Sequence, residues 1–102
     1  MPTLVDQSFT YTGGELACDG VSVAAIVARV GTPVYIYNAR AIRDAYRGID
    51  EAFADCPHVI HYALKANSTL AIVRLLRAIG SKVDANSGGE IQVALRAGYV
   101  PG

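Results

Sequence analysis

The sequence predicts an α/β fold in which parallel β-strands alternate with α-helices, preceded by a short β arm. From residue 34 onward, short apolar runs typical of strands alternate with longer segments whose apolar residues recur at helical spacing. Gly80 and Gly98 follow two of these helical segments. Near the amino terminus, Gly13 and Gly14 lie between two β-prone pieces. Strands and helices in this order specify parallel βαβ units with right-handed crossovers.

Residues 1–30 are predicted to form an amino-terminal β arm and a helix. Residues 9–20 contain β-prone pieces on both sides of the glycine pair, which predicts a hairpin or an arm that pairs with another sheet. Ser22 is placed to cap the following helix, and Gly31 with Pro33 ends it. The apolar residues of this helix recur at helical spacing: Val23, Ile26, Val27 and Val30.

Residues 31–102 are predicted to form a second domain that contains three strands and three helices. A strand over residues 34–37 leads to a helix over residues 39–54, which Asn38 caps and whose apolar face we expect to pack on a sheet. The remaining elements are a strand over residues 59–64, a helix over 70–79, a strand over 83–85 and a helix over 87–97.

Composition and charge exclude several functional classes. The chain has 102 residues, of which 52% are hydrophobic, and nine basic residues balance nine acidic ones. No basic field is available to bind nucleic acid or an anionic membrane, and no apolar run has the length of a membrane span. The first residues lack the pattern of a signal peptide. We therefore expect a cytoplasmic protein.

Lys65 is the first candidate for chemistry. It follows the apolar strand predicted over residues 59–64, so the sequence places an amine at the carboxyl end of a parallel strand. In barrels and in open α/β sheets, that rim carries the active site. An amine in such a place can form a Schiff base with a carbonyl group. The alternative is a solvated surface charge, which is the usual state of a lysine.

Two acidic residues follow Lys65 in the chain, and the first of them, Asp84, lies on the same predicted rim. Asp84 ends the next strand, and if the two strands are neighbours its carboxylate would lie within a few ångströms of Lys65 and favour a charged amine. The alternative for Asp84 is a turn carboxylate. Glu90 follows Ser87 at the spacing of a capping box, in which Ser87 accepts from the amide of residue 90 and Glu90 accepts from the amide of residue 87.

Other residues with chemical potential receive structural predictions. Cys18 and Cys56 are expected to be reduced, buried and inert. No metal site is predicted, because the histidines lack a second ligand at useful spacing. His61 shares strand parity with Lys65, but we expect a hydrogen-bonded core histidine. Tyr62 is predicted to be a strand residue without a chemical role.

The motifs around these candidates resemble a known family. The runs Tyr62-Ala-Leu-Lys-Ala-Asn67 and Asp84-Ala-Asn-Ser-Gly-Gly-Glu90 closely resemble the amino-terminal part of the ornithine, diaminopimelate and arginine decarboxylases. The Ser-Gly-Gly-Glu form resembles the diaminopimelate branch, and the opening segment Gly31-Thr-Pro-Val-Tyr-Ile-Tyr37 agrees with the family. The resemblance covers nearly the whole chain.

The resemblance implies a fold, a cofactor and a reaction. The family consists of pyridoxal 5'-phosphate enzymes built on a (β/α)₈ TIM-like barrel, and such a barrel needs about 250 residues. The chain would then be an amino-terminal fragment that holds the first βα units and is inactive alone. Its β arm would join a carboxy-terminal β-domain in the whole protein. That protein would be a homodimer that decarboxylates meso-diaminopimelate to L-lysine.

The resemblance also implies roles for the matching residues. Lys65 would form the Schiff base with the cofactor aldehyde, Asp84 would lie beside the Schiff-base nitrogen, and Glu90 would be a second acid near the cofactor. Three classes remain open: a decarboxylase, a barrel relative that carries the cofactor without decarboxylation, and a remnant that only binds a partner. Within the first class, ornithine, arginine and carboxynorspermidine are alternative substrates.

Overall fold

A computed structural model describes residues 8–101 of the chain. The chain divides into two compact units, Met1–Tyr46 and Arg47–Gly102. The predicted boundary between residues 30 and 31 concerns the domains of a whole protein and stays a prediction. Residues 1–7, on which the prediction of no signal peptide rests, lie outside the described residues.

The first unit contains the predicted hairpin. Strands β1 (Phe9–Thr12) and β2 (Glu15–Cys18) pair in antiparallel fashion around Gly13 and Gly14. The φ angles of these glycines are 59° and 84°, and positive values at both positions are what this type of two-residue hairpin turn requires. The hairpin prediction is therefore confirmed.

A third strand, β3 (Val21–Ser22), extends this sheet and was not predicted. It pairs with β2 across a second two-residue turn, formed by Asp19 and Gly20, which also have positive φ angles of 48° and 81°. An Asp-Gly pair between strands is one of the strongest hairpin signals in a sequence. Asp19-Gly20 therefore indicated the second hairpin in the sequence.

Helix α1 (Val23–Val30) has the predicted ends. The Ser22 hydroxyl oxygen accepts from the backbone N–H of Ala25 at 3.2 Å, which satisfies one of the free amides of the first turn. Gly31 follows the last helical residue with a φ angle of 80°. Both ends of α1 depend only on residues within a few positions of each other, so they could be predicted from the sequence.

The strand predicted over residues 34–37 is not formed. These residues have no strand assignment, and Tyr35 is 88% exposed. An extended segment becomes part of a sheet only when another strand pairs with its backbone groups, and no strand among residues 8–101 does so here.

Helix α2 (Ala39–Ala52) begins at the predicted cap. The Asn38 side-chain oxygen accepts from the N–H of Ala41 at 3.0 Å. The expectation that its apolar face packs on a sheet is wrong for the described residues, because no residue of α2 is buried. Ile49 and Phe53 of that face are 51% and 52% exposed.

The second unit contains one parallel βαβ unit followed by a helix, as the alternating pattern predicts. Its elements are β4 (His61–Ala63), α3 (Leu70–Ala78), β5 (Lys82–Asp84) and α4 (Gly88–Ala97). The two strands are parallel and hydrogen-bonded neighbours. β4 is shorter than the predicted strand over residues 59–64, and β5 begins and ends one residue before the predicted strand over residues 83–85. Both strands have three residues because the parallel ladder pairs three residues on each side.

The core of this unit lies on the helix side of the two strands. Its buried members come from the end of β4, from α3 and from α4: Leu64, Val73, Ala94 and Ala97. The register partners Tyr62 and Val83 pack against this core. Because successive strand residues point to opposite faces, the alternate positions of β4 and β5 belong to the opposite sheet face.

Within residues 8–101, every helix is too short or too polar to cross a membrane.

Candidate functional site

Lys65 and Asp84 lie on one rim, where the carboxyl ends of β4 and β5 meet. Lys65 is in the turn that directly follows β4, and its side chain is exposed. Asp84 is the last residue of β5 and is also exposed. In the parallel register, Asp84 is the partner of Ala63. The prediction that both residues occupy the carboxyl end of neighbouring parallel strands is confirmed.

The two residues are joined through the backbone. The N–H of Leu64, the residue before Lys65, donates to the carbonyl oxygen of Asp84 at 3.1 Å. Among residues 8–101, however, the side-chain ion pairs join other partners, and Lys65 does not form one with Asp84. The expected contact between the two charged groups is therefore absent from this structure. Both side chains are in solvent, where an ion pair adds little stability.

Glu90 forms most of the predicted capping arrangement. The N–H of Glu90 donates to the Ser87 hydroxyl oxygen at 3.1 Å. Its carboxylate accepts from the Ser87 hydroxyl at 3.3 Å and from the N–H of Asn86 at 3.1 Å, not from the amide of residue 87. Since β5 ends at Asp84, the amide of Asn86 has no ladder partner, and the carboxylate satisfies it. Glu90 thus anchors the loop that follows Asp84.

Tyr62 has a role at this rim that sequence reasoning missed. Its hydroxyl donates to the carbonyl oxygen of Asn67 at 2.8 Å, so it contacts the far end of the turn that carries Lys65. The Asn67 side-chain oxygen in turn accepts from the N–H and the hydroxyl of Thr69 at 3.0 and 2.7 Å. A signal was available, because a tyrosine that packs on a core normally needs a partner for its hydroxyl group.

The histidine and cysteine predictions have mixed outcomes. His61 is exposed, so the core interpretation is wrong, since it lies on the sheet face away from the helices. Cys18 is buried as expected, whereas Cys56 is exposed in the segment after α2. Within residues 8–101, no group of three or more histidine, cysteine or acidic side chains is placed to hold a metal ion.

His58 lies in the segment that leads into β4, before the strand rather than on the rim at its carboxyl end. Its Nδ1 contacts the carbonyl oxygen of Cys56 at 2.9 Å, and its Nε2 contacts the Asp50 carboxylate at 2.6 Å. These two acceptors, the Cys56 carbonyl first, raise the pKa of His58 above its ordinary value of 6.5. Both ring nitrogens face acceptors, which only the protonated ring can satisfy with two donors.

Comparison with known proteins agrees with this geometry. Residues 39–102 match the sequence model of a family described as "Pyridoxal-dependent decarboxylase, pyridoxal binding domain". The diaminopimelate decarboxylase of Pseudomonas fluorescens is 42% identical over 92 residues, which are 90% of this chain and 22% of that protein. That of Aquifex aeolicus is 38% identical over 91 residues, 89% of this chain and 21% of that protein.

Solved structures are similar in fold. AQ1208 from Aquifex aeolicus superposes with a TM-score of 0.83 at 35% identity, over 94% of this chain and 24% of that chain. The diaminopimelate decarboxylase of M. jannaschii in co-complex with L-lysine gives a TM-score of 0.85 at 31% identity, over 93% and 23%. The chain thus spans about a fifth of the length of the relatives it matches.

The family match covers more than half of the chain and includes both motifs of the rim, the one around Lys65 and the one from Asp84 to Glu90. The structural likeness extends over almost all of it. The chain therefore belongs to the pyridoxal-dependent decarboxylase family and carries residues of its pyridoxal-binding domain.

Proposed function

We propose that the whole protein to which this chain contributes is a pyridoxal 5'-phosphate-dependent decarboxylase that converts meso-diaminopimelate to L-lysine. The observation that carries the proposal is the exposed Lys65 amine at the carboxyl end of β4, one residue from the backbone bond to Asp84. The names of the relatives and the lysine complex of one similar structure support the choice of substrate.

The residues on the rim fit this cofactor. Its aldehyde requires a primary amine, and Lys65 presents one in solvent instead of burying it in an ion pair. Asp84 adds a carboxylate at the end of the neighbouring strand, and a carboxylate stabilises a positive charge on a nearby nitrogen. When bound, the cofactor supplies an electron sink for the electron pair left behind as carbon dioxide departs.

The residues of this chain that form the proposed site have separate roles. Lys65 would hold the cofactor through its amine. Asp84 would favour a positive charge on a nitrogen bound near it. Glu90 binds the amide of Asn86 and so holds the loop between Asp84 and α4 in one conformation. Leu64, the residue before Lys65, is fully buried in the core and anchors the end of β4.

We further propose the architecture of the whole protein. The βαβ unit and α4 are the first part of a (β/α)₈ barrel, and the three-stranded arm β1–β3 joins a carboxy-terminal β-domain. The phosphate-binding loop, the partner of the pyridine nitrogen and the residues that read the far end of the substrate lie in other parts of that protein. We propose that it is a cytoplasmic homodimer.

Reductive trapping tests the assignment of Lys65. The purified whole protein is loaded with pyridoxal phosphate, reduced with borohydride and mapped by peptide mass spectrometry. Lys82 is a matched control, because it is the other lysine of this sequence and begins β5 at the opposite end of the strand. We expect the pyridoxyl mass on Lys65, and no turnover in Lys65→Ala, while Lys82→Ala remains active. A label on Lys82 or on another lysine contradicts the proposal.

Substrate competition tests the reaction itself. Values of kcat/KM are compared for meso-diaminopimelate, ornithine, arginine and carboxynorspermidine, because specificity is a ratio of these constants. We expect diaminopimelate to have the highest value. A preference for another of these amino acids moves the protein to a sister branch and leaves the role of Lys65 intact. Cofactor binding with no decarboxylation at all contradicts the assigned reaction.

A further inference from the structure

The turn that carries Lys65 is attached at its first residue to the adjacent strand and the core. Leu64 has no exposed surface, and its N–H donates to the Asp84 carbonyl oxygen. The N–H of Ala66 donates to the carbonyl oxygen of Ala63 at 3.1 Å, which closes the turn over Lys65. These bonds fix where the turn leaves β4.

The other end of the turn is attached by Asn67. Its carbonyl oxygen accepts from the Tyr62 hydroxyl at 2.8 Å, and its side-chain oxygen accepts from the N–H and hydroxyl of Thr69. Thr69 is the residue before helix α3. Asn67 therefore links three elements: the strand that precedes the turn, the turn itself and the helix that follows.

The Tyr62 side chain lies on the helix side of β4, and its hydroxyl binds Asn67 from that side. Its ring packs against the core of Leu64 and Val73, on the helix side of β4. Ala63 and Asp84 belong to the opposite face. The contact between Tyr62 and the turn is thus made through the backbone of Asn67.

We propose that Tyr62 is a positioning residue, which sets the place of the Lys65 amine by holding the backbone of the turn at Asn67. The inference rests on the proposed function of Lys65. A lysine amine is carried on a flexible four-carbon chain. A fixed backbone at Lys65 therefore limits the positions that the amine can occupy. A small displacement of a reacting group lowers a rate strongly, and a tether at Asn67 opposes such a displacement.

The test compares two tyrosines whose hydroxyl groups each donate to a backbone carbonyl oxygen. Tyr62→Phe removes the hydroxyl that binds Asn67. The matched control is Tyr99→Phe, because the Tyr99 hydroxyl donates to the Ser81 carbonyl oxygen at 2.7 Å and its ring packs against the same core. Ser81 precedes β5, at the strand end away from Lys65. Both variants lose one hydroxyl-to-carbonyl bond and keep the ring.

Two measurements are made on the whole protein. Amide hydrogen exchange of Ala66 and Thr69 is followed without cofactor, and the rate of pyridoxal phosphate attachment to Lys65 is followed by quenching with borohydride at intervals. In Tyr62→Phe we expect both amides to exchange about fivefold faster, the factor that corresponds to a typical hydrogen bond. We expect slower attachment to Lys65 in the same variant. Tyr99→Phe should match the wild type in both measurements.

A rescue variant separates the donor from the ring. Tyr62→4-aminophenylalanine keeps an N–H donor at this position, and we expect values between those of wild type and Tyr62→Phe. If Tyr62→Phe does not fold, the rescue variant decides, and faster exchange of Ala66 and Thr69 with an unchanged rate of attachment to Lys65 in it overturns the inference. Unchanged values in a folded Tyr62→Phe, or equal changes in Tyr99→Phe, also overturn it. No attachment to Lys65 in the wild type refutes the proposed function instead.

Discussion

The backbone N–H of Leu64 donates to the carbonyl oxygen of Asp84 at 3.1 Å, immediately beyond the three residue pairs of the parallel ladder. This bond joins the residue before Lys65 to the acid on the neighbouring strand. Leu64 is fully buried while Lys65 is exposed. Leu64 thus anchors the end of the strand in the core, and Lys65, the next residue, has its amine in solvent at the rim.

Asp84 is expected to support catalysis through its charge. Asp84→Asn keeps the size of the side chain and removes the carboxylate that stabilises a protonated nitrogen beside it. We expect kcat/KM of the whole protein to fall at least about tenfold, which corresponds to about 1.4 kcal/mol of lost transition-state stabilisation. The control is Asp55→Asn, in the exposed turn after α2, which should leave kcat/KM unchanged. Equal values for both variants would show that Asp84 is only a turn residue.

Leu64 is expected to contribute much of the stability of the second unit. Leu64→Ala removes a fully buried side chain and leaves a cavity beside Val73, so the free energy of unfolding should fall by about 3 kcal/mol. Leu95 is the matched control, since it is 44% exposed on α4 and its truncation should cost less than about 1 kcal/mol. Urea unfolding midpoints measure both. A loss in Leu64→Ala no larger than that in Leu95→Ala contradicts the assignment of this core.

The cap of α4 gives a third prediction. Ser87→Ala removes the hydroxyl that accepts from the N–H of Glu90, and we expect the free energy of unfolding to fall by about 1 kcal/mol. Gln92→Ala, at an exposed position of the same helix, should change it by no more than about 0.5 kcal/mol. Thermal or urea unfolding distinguishes them. Equal stability of Ser87→Ala and the wild type would mean that the cap does not stabilise the helix.

The ion pair between His58 and Asp50 predicts that the stability of the protein depends on pH. The pKa of His58 is raised in the folded chain, chiefly by the Cys56 carbonyl and then by the Asp50 carboxylate. The folded state therefore binds the proton more strongly than the unfolded state does. This contribution is fully present below the ordinary pKa of 6.5 and is lost as the pH rises through the higher folded value. We expect His58→Gln to destabilise the protein more at pH 6 than at pH 8.

A direct titration checks the same pair. In an NMR titration, the midpoint of His58 should lie above 6.5 and should move down in Asp50→Asn, because the Asp50 carboxylate no longer favours the protonated ring. A midpoint that does not move in Asp50→Asn would assign the shift to the Cys56 carbonyl alone.

Local interactions could be predicted from the sequence because each depends on residues a few positions apart. The caps at Ser22, Asn38 and Ser87 lie three residues from the amides that they bind. The two glycines of the β1–β2 turn have the positive φ angles that their residue type allows. The place of Lys65 after an apolar strand is likewise a property of one short segment. These features determined the order of elements and the candidate amine.

Tertiary structure decided which strands find partners and which backbone groups lie close. The segment over residues 34–37 has strand-forming residues but no partner in the described part of the chain, so it is not a strand. The register that pairs Ala63 with Asp84, and the Tyr62 bond to Asn67, depend on how β4, β5 and the helices pack. Sequence periodicity specifies the face on which a residue lies. Only packing of the whole unit sets the distances between residues far apart in the chain.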